Sequence, residues 1–194
     1  MSQPSAVYSN VSIALHWIIA LLVLGQIGLV MAHDATEGAA SANFMMLHKS
    51  GGLLILVLTL VRIGWRFKEP WKAMPVDTPR WQRIVARVTH IGFYVLLIGM
   101  PLGGWLASSA AGRDISFYGL FNWPLLPIGG GREAAGFFMD GHELAAKFLY
   151  VLLFLHVAAA LKHQFLGRDN EVRKMLPFIP DRGHVDHRGP HGAP

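Results

Sequence analysis

Four stretches of this chain, roughly 12–33, 47–67, 88–108 and 141–165, are apolar for long enough to cross a lipid bilayer, whose hydrocarbon core takes about 20 residues per helix. A bilayer offers no water to unpaired backbone groups, so each stretch has to be helical. The expected fold class is therefore all-α, a transmembrane four-helix bundle. Composition agrees, since 53 % of the 194 residues are hydrophobic and only 15 % charged, far from the balance of a soluble domain. The first run is too long for a cleaved leader and carries no small-residue cleavage pattern, so it is expected to stay as a helix. Residues 1–166 then form the membrane domain and 167–194 a polar tail.

Orientation follows from Lys and Arg, which concentrate on the cytoplasmic side of short connections. Arg62, Arg66, Lys68, Lys72, Arg80, Arg83 and Arg87 flank the second connection, and Lys162, Arg168, Arg173, Lys174, Arg182 and Arg188 follow the fourth span. The first connection, 34–46, has neither residue type, and the third, 109–140, has only Arg113 and Arg132. Both termini are expected in the cytoplasm. The net charge of +5 is thus a topology signal and a match to anionic lipid, and it excludes a nucleic-acid footprint. Pro70, Pro75 and Pro79 break the second connection. The long third connection, with Pro124, Pro127 and Gly129–Gly131, is expected to fold over the outer end of the bundle.

Ionisable side chains are costly inside a bilayer and are read as functional by default. His16 lies near the start of the first span, His48 at the mouth of the second, and His142 and His156 within the fourth. Alternating topology puts His16 and His156 in an inner layer and His48 and His142 in an outer one. From His142 to His156 a helix climbs about 21 Å and returns to within about 40° of the same face, which stacks two sites on one wall. Cofactor sites in bundles are built from side chains on facing helices. Two imidazoles saturate a haem iron and favour electron transfer over oxygen activation. With no cysteine in the chain, covalent attachment and ordinary iron–sulfur clusters are excluded. Zinc is disfavoured, because two histidines supply half of its usual shell. The reading is two stacked b-type haems, held by the pairs His16/His156 and His48/His142. Gly25, Gly28, Gly51, Gly52, Gly99, Gly103 and Gly104 are small enough to admit a flat macrocycle or to pack helices closely.

These residues resemble the prokaryotic cytochrome b561 family over roughly 8–178. The resemblance lies in Ala14-Leu15-His16-Trp17, Leu47-His48-Lys49-Ser50-Gly51, Val61-Arg62-Ile63-Gly64-Trp65-Arg66, His90-Ile91-Gly92-Phe93-Tyr94, Met100-Pro101-Leu102-Gly103-Gly104-Trp105, Gly141-His142-Glu143 and Leu155-His156. It implies a membrane cytochrome with two b-type haems passing electrons between the outer face and the quinone pool. Short members include superoxide oxidases that reduce ubiquinone; others are haem subunits of dehydrogenases or hydrogenases. Superoxide is the preferred donor and ubiquinone the acceptor. A subunit docking a separate dehydrogenase or hydrogenase is the alternative. A haem-free proton or ion transporter is more remote, because Gln26 and Thr59 are nearly all the polarity the spans offer beyond the paired histidines.

Beyond the ligands, His163 stands two turns past His156 on nearly the same face. With Lys162 it is the candidate quinone contact and proton donor. His90 is a second quinone contact, a neighbour of a haem propionate or a structural residue. Arg62, Arg66 and Arg87 pair with propionates or snorkel to lipid headgroups. Lys49, Arg113, Arg132 and Lys147 are the only outer cations and would steer a small anion inward, although Asp114, Glu133, Asp140 and Glu143 oppose that field. Trp17, Trp65 and Trp105 read as belt residues, His33 as interfacial, and the tail residues His184, His187 and His191 as a weak metal-binding pattern in a mobile tail.

Overall fold

The computed structural model describes residues 8–70, 78–167 and 172–176. The histidines of the tail, and most of the segment 167–194, lie outside the described residues. Four long helices dominate: α1 (Asn10–Asp34), α2 (Gly38–Lys68), α3 (Arg80–Ala110) and α4 (Gly131–Lys162). All four are long and apolar enough to cross a membrane. A π-helical turn, His163–Gly167, continues α4, and a short 3-10 turn spans Val172–Lys174. The chain is a multi-pass membrane protein.

Local chemistry sets the helix ends. Ser9 caps α1, its Oγ accepting from the Ser12 N–H at 3.3 Å, the usual way to satisfy an orphan donor. Only residues 35–37 separate α1 from α2, which makes the two an antiparallel hairpin. Pro79 precedes α3, and its carbonyl accepts from the Gln82 and Arg83 amides. Gly130 has φ +116° and Gly131 φ +56°, a backbone favoured only by glycine. The glycine run therefore starts α4 instead of adorning a loop.

α2 and α4 begin nine and ten residues before their apolar windows, so His48 and His142 sit well inside their helices rather than near the ends. This shortens both outer connections. Helix propagation is local and cooperative, and it carries past the hydrocarbon boundary where hydropathy no longer marks it.

The third connection is folded. It contains a two-stranded antiparallel hairpin, β1 (Ile115–Phe117) and β2 (Phe121–Trp123), with Ser116 opposite Asn122. β1 packs on the flank of α2. The fully buried Ser50 hydroxyl donates to the Ser116 carbonyl at 3.0 Å and accepts from the Tyr118 N–H at 2.9 Å. Ser50 stands about 18 Å along α2 from its first residue, so the hairpin braces the side of the bundle. Phe117, Phe121 and Trp123 stack on one another.

The bundle packs unevenly. α3 lies closely along α4 and α1 along α2, with a weaker α2–α3 seam, whereas α4 meets α1 and α2 mainly through long side chains. Ile19, Val23, Ile55, Leu97 and Leu149, drawn from all four helices, form the buried core. Leu149 is seven residues from His142 and seven from His156, so the apolar core divides the bundle between the two histidine layers.

Candidate functional site

At the outer layer, the His48 ring of α2 faces the His142 ring of α4, with centroids 6.1 Å apart and planes at 78°. His142 is held by its other nitrogen, since Nδ1–H donates to the Met100 carbonyl at 2.8 Å. Pro101, the next residue, supplies no helical N–H at this level of α3. Gly104 lets the ring lie against the α3 backbone, because a Cβ there would stand 3.2 Å from His142 Nδ1. The donation leaves Nε2 as the lone-pair nitrogen, the arrangement found in metal-ligating histidines oriented by a carbonyl.

At the inner layer, the His16 ring of α1 lies 6.3 Å from that of His156 on α4, with planes at 63°. His90 of α3 approaches the same His156 ring at 6.1 Å, and Phe93 at 5.2 Å. The sequence pairs His16 with His156 but does not reveal that His90 stands equally near. Packing separates the two. α3 and α4 touch here, where a Cβ on Gly92 would meet Leu152 at 3.1 Å, which leaves no room for a macrocycle between them. α1 and α4 approach each other less closely than α3 and α4 do.

These observations fit haem. Imidazole nitrogens sit about 2 Å from a metal, so two rings on opposite faces of one iron have centroids roughly 6 Å apart. Both pairs meet that. They do not fit a bare metal ion, because among the described residues no three His, Cys, Asp or Glu side chains converge on one point.

A network the sequence did not reveal closes the inner end of α1. Glu69, just past α2, accepts from the Ser9 N–H at 2.8 Å, Ser9 Oγ at 2.6 Å and Ser12 Oγ at 2.5 Å. Trp65 Nε1 donates to it at 3.4 Å. Partial burial pushes the Glu69 carboxyl up, but the hydrogen bonds from Ser12, Ser9 and Trp65 outweigh this and hold it down at about 2. Arg62 donates to the Ser12 carbonyl at 3.1 Å. Arg66 donates to the Glu69 carbonyl and lies over the Tyr8 ring. Both arginines thus turn into the protein instead of reaching only for headgroups. The sole local signal for this cluster was the serine spacing at the head of α1.

The tryptophans also have specific partners. Trp17 donates to the Met175 carbonyl at 2.9 Å, tying the segment after α4 beside His16. Trp105 donates to the Pro124 carbonyl at 2.9 Å. His33 meets Ser41 Oγ at 2.7 Å and so fastens the end of α1 to the start of α2.

Other candidates disperse. Lys162 reaches over the Trp81 ring of α3 at 5.7 Å, while His163 opens the π-turn. Lys49 directly precedes Ser50, on which the hairpin that follows Arg113 is fastened, so these two cations share one region. Arg132 lies ten residues before His142, about 15 Å along α4, and Lys147 about 140° around that helix.

Residues 7–178 match the family described as prokaryotic cytochrome b561. The chain is 33 % identical over 172 residues to cytochrome b561 homolog 2 of Escherichia coli strain K12, spanning 87 % of this chain and 90 % of that one. It is 28 % identical over 182 residues to the probable superoxide oxidase CybB of Yersinia pestis, spanning 88 % and 96 %. To the probable Ni/Fe-hydrogenase B-type cytochrome subunit of Rhizobium leguminosarum bv. viciae it is 24 % identical over 200 residues, spanning 83 % and 82 %.

Proposed function

Because the chain belongs to the prokaryotic cytochrome b561 family of haem-binding membrane electron-transfer proteins, we propose that it holds two b-type haems and oxidises superoxide at its outer face while reducing ubiquinone at its inner face. The observation that supports this reading is the two pairs of neighbouring imidazoles, 6.3 and 6.1 Å apart, at two levels of α4. His48 and His142 would hold the outer haem, His16 and His156 the inner one. Bound haem supplies a one-electron iron couple. The protein's own part would be to offer two imidazole nitrogens at each layer, which favours electron transfer over oxygen activation.

In balance, two superoxide anions, one quinone and two protons give one quinol and two dioxygen molecules. Lys49 and Arg113 favour the approach of a small anion. His163, at the inner end of α4, would hydrogen-bond a quinone carbonyl and hand over a proton. Lys162 is the weaker candidate, since its ammonium rests on Trp81. The distribution of Lys and Arg supports cytoplasmic termini in a bacterial inner membrane. Likeness to the probable superoxide oxidase supports the choice of donor.

The second reading, an electron-transfer subunit for a dehydrogenase or hydrogenase, draws on likeness to the hydrogenase cytochrome subunit. Stopped-flow mixing of the purified, haem-loaded protein with superoxide separates them. Rapid haem reduction, followed by reoxidation only when ubiquinone is added, is the expected result. No reduction by superoxide, together with a stably co-purifying redox partner, would favour the subunit.

A further inference from the structure

The two outer histidines are not equally supported. His142 has its Nδ1–H on the Met100 carbonyl, whereas His48 Nδ1 is buried with no hydrogen-bond partner. A neutral imidazole that offers Nε2 to a metal carries its proton on Nδ1, and that proton needs an acceptor. Among the described residues, the buried side-chain oxygens left without a partner are Gln26 Oε1 and Thr59 Oγ1. Thr59 stands three turns along α2 from His48, about 16 Å away. Gln26 is close at hand. The residue is only 9 % exposed, and neither its backbone carbonyl nor its carboxamide oxygen makes a hydrogen bond to His48 Nδ1 as the side chains stand, so a small turn of the amide is what would join them. Its carboxamide presses on the backbone at Gly51, one turn from His48, so closely that a Cβ at Gly51 would collide with it. Gly51 is thus the notch in α2 that admits the amide of α1.

We propose that Gln26 is a positioning residue for the outer haem, its Oε1 accepting the Nδ1–H of His48 and fixing both the tautomer and the orientation of that ring. A primary amide suits the task, because it places an acceptor inside the membrane with no charge to desolvate. In this arrangement α1, which contributes an axial ligand only to the inner layer, also adjusts the outer one. A hydrogen bond from Nδ1–H makes an imidazole a stronger donor to iron and favours the oxidised metal. Losing the acceptor raises the potential of that haem, and a carboxylate in its place lowers it.

The inference rests on His48 being a haem ligand, so the test carries its own control. Redox titrations followed by optical spectra are run on the haem-loaded wild type and on Gln26→Leu, Gln26→Glu and His48→Ala. His48→Ala identifies which of the two midpoint potentials belongs to the outer haem; if it loses no haem, the ligand assignment itself fails. With that potential identified, Gln26→Leu is expected to shift it upward and Gln26→Glu downward, with the other potential unmoved. Haem loss in Gln26→Leu alone, with retention in Gln26→Glu, supports the same role. Unchanged potentials, shifts in the same direction in both variants, or haem loss from both would overturn it while leaving the ligation intact.

Discussion

The outer and inner histidine layers share one helix wall but are supported by opposite means. The outer pair is set by backbone and small residues: the Met100 carbonyl, the bare backbone at Gly104, and the hairpin locked on Ser50. The inner pair lies among charges and side-chain hydrogen bonds, with Arg62, His90, Glu69 and the Ser9–Ser12 cap clustered around the start of α1. Backbone supports have little freedom to rearrange, whereas charged side chains at a membrane surface stay in reach of water and protons. The difference suits a rigid entry site for electrons and an exit site where protons must join them.

Removing ligands breaks this comparison most completely. Alanine at His48 or His142 is expected to leave one haem per chain, and alanine at His16 or His156 the other one, measured as haem per protein by pyridine haemochrome. His90→Ala should retain both, since close α3–α4 packing bars it from ligation. Loss of a haem from His90→Ala would reverse the inner assignment.

The inner layer is then sharpened at its proton side. His163→Ala is expected to slow quinol formation about 100-fold, the usual worth of a positioned proton donor, with haem content and superoxide-driven haem reduction unchanged. Equal quinone kinetics in the variant and the wild type would remove His163 from the path.

At the outer layer, Gly104→Val puts a branched side chain where the His142 ring lies. Overpacking of this kind costs about 1–3 kcal/mol, and the expected result is selective weakening of the outer haem, read as its earlier release on thermal melting. Simultaneous release of both haems would show that the layers are not independently supported.

The smallest effect concerns Glu69. Its carboxyl is held at about 2, below the ordinary 4.5, so its contribution to stability is complete above pH 4.5 and is lost as pH falls through 2. The melting temperature of the wild type should therefore fall more steeply between pH 4.5 and 2 than that of Glu69→Gln. Parallel curves would show that the cap contributes nothing through its charge.

Much of the site is legible in the chain because membrane helices obey local rules. The four histidines proposed as ligands could be paired from depth and the 3.6-residue period alone, and the structure places the rings of each pair about 6 Å apart. Other readings were incomplete where contacts decide. The third connection looked like a roof because its glycines and prolines report turns but not where turns dock; Ser50 supplied the docking point. Trp17, Trp65 and Trp105 looked like belt residues because an indole at that depth satisfies the belt rule whether or not its N–H has a protein partner. Arg132 and Lys147 joined the outer cations on depth alone, and helix phase then sent Lys147 to another face.

Membrane class, helix count and the two-layer register of histidines were determined by the sequence itself, since apolar length and helical period act within a single segment. The tertiary structure decided which rings approach His156, which carbonyl orients His142, and which amide of another helix is buried beside His48. Those outcomes depend on how tightly distant segments approach one another, and close packing between helices is a property of pairs that no single stretch of sequence contains.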